Sequence, residues 1–167
     1  MENNRLFFLN HQKREKGIMW EAQRERSVIF IGQEDCGKLS KNAVFRQLEI
    51  LIHSGYRHFL SGGIGSFDRI CTQCSYHLKI KYPHLRISLM VPYLDYEVTD
   101  PVYFDFILFP DKLKPLGKNS DLLERRLFLI EQAAAVLCYG DEKSTELLPL
   151  YQAARVHQLP LFPITAV

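Results

Sequence analysis

The stretch HFLSGGIGSFD, residues 58–68, carries the densest chemical signal in the chain. An apolar run ends in Ser61, three glycines fall within four positions (Gly62, Gly63, Gly65), and Asp68 follows. Glycine reaches positive φ without a Cβ penalty and lets a ligand approach the main chain. A helix starting just beyond adds N–H groups without intrahelical partners and a partial positive charge. Such a loop is an anion cradle, suited to phosphate or ribose. A dinucleotide fingerprint read from Gly63 fails, because its third glycine would fall at Asp68. The competing reading is a structural turn capped by Ser66 or Asp68. The helix start immediately downstream favours the ligand reading.

Other stretches carry weaker signals. GQEDCGKLS, from Gly32, nearly spells a P-loop, but Leu39 stands where a magnesium-binding Ser or Thr belongs. Glu34 and Asp35 also place negative charge inside that would-be cradle, so it reads as a strand-to-helix loop lining the same edge. CTQCSYH offers Cys71, Cys74 and His77, but six helical residues rise about 9 Å, awkward for one tetrahedral ion. The two cysteines share an apolar stripe with Phe67, Ile70 and Leu78 and read as buried thiols; no metal site is expected. LLERR supplies Arg125 and Arg126, either solvated or reaching toward a phosphate. GDEKSTE, residues 140–146, offers Ser144 or Thr145 as the cap of a last helix. The remaining histidines are scattered, and no catalytic constellation stands out.

These residues need elements to position them. SVIFIG reads as a buried strand, and LSKNAVFRQLEILIHSG as a helix with Gly55 at its end. RHFLS is a second strand, followed by the glycines and a helix from about Phe67 to Lys81. RISLMV and FDFILF are further strands, stopped by Pro92 and Pro110. A loop over 111–119 leads to a helix over roughly 120–132 capped by Asn119 or Ser120. AAVLCYG, a helix over STELLPLYQAARVHQ and a short strand PLFPI complete the chain. Strands alternate with helices, which predicts an α/β fold: a three-layer Rossmann-like domain with a mostly parallel sheet. Ligands in such folds bind beyond the carboxyl ends of the strands.

With 167 residues, 47% apolar and 24% charged, the composition is that of one globular domain. No apolar run is long enough to span a membrane, so the expectation is a cytoplasmic protein with no membrane partner and reduced cysteines. A net charge of +2 speaks against nucleic acid as a partner. Residues 1–26 hold six basic residues interspersed with Glu15, Glu21 and Glu25, and read as an N-terminal extension to a domain over 27–167. The apolar LFFL near its start is compatible with a homo-oligomer.

The order of VIFIGQ, GYRHFLSGGIGSFD, Tyr82–Pro83, RR before AAAVLCYG and a Thr-started helix resembles the SLOG superfamily, closest to its YpsA-like branch. That superfamily also holds the "lonely guy" phosphoribohydrolases and the DNA-processing DprA proteins. The resemblance implies a nucleotide-binding Rossmann-like fold. It places Gly62, Gly63 and Gly65 against phosphate or ribose, and makes Asp68 a loop-orienting or ribose-contacting residue. It matches Arg125 to a phosphate-binding position. Two departures are visible. Gly32-Gln33-Glu34 replaces the branch's G-H-R, putting an anion where a cation belongs. The hydrolases' glutamate, three residues beyond the threonine, is Leu148 here.

The leading expectation is therefore binding or sensing of a nucleotide-derived small molecule. The site would comprise Gly32, Ser61, Gly62, Gly63, Gly65, Asp68, Arg125 and Thr145, without a cofactor. The alternatives are an N-glycosidase acting on nucleoside monophosphates, with Asp68 or Glu146 as its acid, and DprA-like binding of single-stranded DNA. Whether any reaction is catalysed stays open at this point.

Overall fold

The computed structural model describes residues 24–91, 96–108 and 122–165. Residues 1–23, Pro92, Pro110, the 111–119 loop and the proposed cap at Asn119 or Ser120 lie outside them. Among the described residues, six strands form one sheet: β1 (Ser27–Gly32), β2 (His58–Ser61), β3 (Arg86–Met90), β4 (Phe106–Leu108), β5 (Ala135–Tyr139) and β6 (Leu161–Pro163). Four helices connect them: α1 (Lys41–His53), α2 (Gly65–Leu78), α3 (Leu122–Gln132) and α4 (Leu148–Val156). A short 3₁₀ turn at Pro101–Tyr103, not foreseen from the sequence, precedes β4.

The sheet order is β4-β3-β2-β1-β5-β6, and every pairing is parallel. This is the Rossmann-like three-layer arrangement that the alternation of strands and helices predicts. The central strand β1 is buried on both faces, and its alternation divides the core. Val28 and Phe30 pack with Val44, Leu48 and Leu51 of α1 and Phe67, Cys71 and Cys74 of α2. Ile29 and Ile31 pack on the other face with Leu129 and Ile130 of α3 and Leu150, Tyr151 and Ala154 of α4. The period of two in the strand and the longer period of the helices thus meet in one sandwich.

The chain winds outward from β1 to β4 on one side and returns to β5 on the other. The order therefore reverses between β1 and β5, which leaves a crevice at their carboxyl ends. The loops after β1, β2 and β5 all reach that edge.

Candidate functional site at the carboxyl edge

The glycine turn after β2 is organised from below by Asp68. This residue sits one turn inside α2 and is 3% exposed. Its Oδ1 accepts from the Ser61 hydroxyl at 2.5 Å and the Thr72 hydroxyl at 3.3 Å. Its Oδ2 accepts from the Gly62 N–H at 2.9 Å, and the Ile64 N–H also donates to the carboxylate. Ser61 Oγ in turn accepts from the Gly63 N–H at 3.0 Å. Three successive turn N–H groups therefore point inward. Burial pushes the Asp68 carboxyl up to about 6, against the pull of these donors. Gly63 and Gly65 lie at φ +67° and +85°, where an L side chain is strained.

The first turn of α2 has no side-chain cap of its own. Glu34, from the loop after β1, supplies one across the chain. Its Oε2 accepts from the Ser66 N–H at 3.2 Å and its Oε1 from the Ser66 hydroxyl at 2.7 Å. These bonds, with Arg126 and Arg69 nearby, hold the Glu34 carboxyl below its usual range. Arg126 approaches the same point from α3. A Cβ built on Gly65 would lie 2.9 Å from Glu34 Oε2 and 3.4 Å from Arg126 Nη2. The Arg126 side chain is 9% exposed, and its Nη1 donates to Glu146 Oε1 at 3.2 Å. One guanidinium thus stands between two carboxylates at the mouth of the glycine turn.

Arg126, which the sequence reading did not place in the site, stands at this turn. Arg125 is half-buried on the neighbouring face of α3. The signal was in the helix period: Arg126, Leu129, Ile130 and Ala133 fall at i, i+3, i+4 and i+7, one inward stripe. Thr145 is exposed in a turn, because α4 begins at Leu148 rather than at Ser144 or Thr145. Ser144 Oγ accepts from the Leu147 N–H at 3.2 Å, so the serine caps that turn.

Two of the expected ligand glycines serve packing. A Cβ on Gly32 would fall 2.3 Å from the Phe67 ring, which stacks on Tyr139 with centroids 5.8 Å apart. A Cβ on Gly62 would fall 2.2 Å from Leu129 Cδ1. At the β1/β5 crevice, the Gln33 N–H donates to the Tyr139 carbonyl at 3.0 Å, and the Gln33 side chain lies over Gly140. In the P-loop look-alike, Asp35 Oδ1 accepts from the Gly37 N–H at 3.0 Å. That bond closes a local turn instead of opening a nest for phosphate. Tyr96, a residue the sequence did not single out, brings its hydroxyl to 3.3 Å from a Cβ position on Gly63. Cys71 and Cys74 are buried, and no cluster of three or more metal-ligating side chains occurs among the described residues. No described helix is long and apolar enough to cross a membrane.

No protein-family model matches the chain, and no curated protein does. Among solved structures the chain is similar to DNA processing protein A from Helicobacter pylori, described for its single-stranded DNA binding mode. The TM-score is 0.55 at 18% identity, over 82% of this chain and 64% of that one. The likeness lies in the Rossmann-like fold and falls on one of the proteins the SLOG resemblance embraces. It also corrects the expectation that set nucleic acid aside as a partner. That expectation rested on a net charge of +2, and net charge is a sum. What a polyanion meets is the local arrangement of cations at one edge.

Proposed function

We propose that this protein is a SLOG-type domain that binds single-stranded nucleic acid across the carboxyl edge of its sheet. The observation that carries the reading is Arg126, a nine-tenths buried guanidinium set against an exposed glycine turn, on a fold like that of DNA processing protein A. Three further features support it. Arg69, next to Asp68 on α2, and Lys38, on the loop after β1, are exposed. Tyr96 brings its phenol hydroxyl, a donor suited to a phosphate or base oxygen, to the Gly63 position of the turn. The turn itself has no side chains at Gly63 and Gly65 to keep a phosphodiester backbone away.

The alternative of N-glycosidic cleavage draws no support from the geometry. Asp68 is enclosed by four donors, and Glu146 is paired with Arg126.

Fluorescence anisotropy with a labelled oligothymidylate tests the proposal. Binding should weaken linearly in log K against log salt. Replacing Arg126 or Arg69 with alanine should each weaken it, with a drop in slope of about 0.7 per lost phosphate contact. Arg69 is exposed, so its removal does not threaten the fold. Absence of binding at low salt would overturn the reading, as would binding of a mononucleotide without the oligomer.

A further inference from the structure

We infer that Glu34 is an intramolecular plug that a phosphate must displace to reach the glycine turn. This rests on the carboxyl-edge reading above and adds its regulation. Three observations carry it. Glu34 reaches from the loop after β1 to the Ser66 N–H and hydroxyl, the donors an anion would take at this helix start. Arg126 converges on the same point from a separate element, already held on its other side by Glu146. Glu34 itself is exposed, so its side chain can swing into water without opening the core. The Asp68 network holds the turn from beneath and needs no change when Glu34 leaves.

The consequence is a graded gate. A phosphate entering the turn gains the Ser66 donors and the attraction of the Arg126 charge beside Gly65 only by releasing the Glu34 carboxylate. The plug also selects. A ligand with a single weak anionic group competes poorly with a tethered carboxylate, whereas a chain of phosphates held by Arg69 and Lys38 competes well. Affinity for an isolated phosphate group should therefore be low in the wild type and should rise once Glu34 is neutral.

The test compares wild type with Glu34→Gln, Glu34→Ala and a control, Glu49→Gln. Glu49 is bound to Lys81 and Tyr82 near the far end of α1 and changes net charge by the same amount. Thermal unfolding is followed against pyrophosphate, and anisotropy against oligothymidylate. Both Glu34 variants should gain a pyrophosphate-dependent rise in Tm that the wild type and the control lack. They should also bind the oligomer about five-fold more tightly, the size of one helix-terminal charge interaction. No pyrophosphate response in either Glu34 variant overturns the plug, whatever the oligomer does. So does an equal gain in the Glu49 control. A pyrophosphate response in the Glu34 variants, with no oligomer binding by any form, leaves the plug standing and removes the nucleic-acid reading.

Discussion

Asp68 and His58 are buried ionisable groups whose titrations oppose each other. Burial raises Asp68 from 3.8 to about 6, so the fold holds its proton more tightly than the unfolded chain does. Its contribution to stability is full below about pH 4 and is lost as pH rises to about 6. His58 bonds Ser88 Oγ inside the sheet, and burial lowers it from 6.5 to about 4. Its contribution is full above about pH 6.5 and is lost as pH falls through about 4. Between these limits the two slopes have opposite sign and nearly cancel. Denaturant titrations across pH should therefore show stability rising with pH in Asp68→Asn and falling with pH in His58→Gln, over a flatter wild-type profile. Parallel profiles for all three would refute the assignment. Asp68→Ala, which leaves the Gly62 and Ile64 N–H groups and the Ser61 hydroxyl without their acceptor, should cost about 3 kcal/mol.

At the scale of elements, the glycines lock α2 and α3 against the sheet. The Cβ of Gly32→Ala would collide with the Phe67 ring and its Cβ at 2.3–2.6 Å, and that ring is fixed by its stack on Tyr139. A cost of about 3 kcal/mol is expected. Gly62→Ala meets chiefly the terminal methyl of Leu129, which can turn, so about 1 kcal/mol is expected. Urea midpoints should rank Gly32→Ala as the more damaging; a reversed order would contradict this packing. The elements themselves were legible because their periods are strong: SVIFIG is β1 residue for residue. The starts of α2 and α4 were not. Helix α2 begins two residues earlier than its apolar stripe, at a turn capped by Glu34 from a distant loop. Helix α4 begins four residues later than Ser144, because a serine-capped turn looks helical in sequence. The first miss depends on a contact between segments, which no local pattern records.

At the scale of the whole molecule, the candidate site is a meeting of three loops at one sheet edge. The glycine turn was legible from composition and order alone. The partners of that turn were not, because Glu34, Arg126 and Glu146 converge only after β1, α3 and β5 are placed. Net charge, a sum over the whole chain, records none of these placements, which is why it is a poor guide to a partner such as nucleic acid.

The most direct test of the carboxyl-edge proposal is backbone amide mapping on addition of oligothymidylate. The account predicts perturbed amides in the loops 33–40, 62–66 and 140–147, where β1, β2 and β5 end. Perturbation confined to the opposite edge, around 54–57 and 79–85, would contradict it.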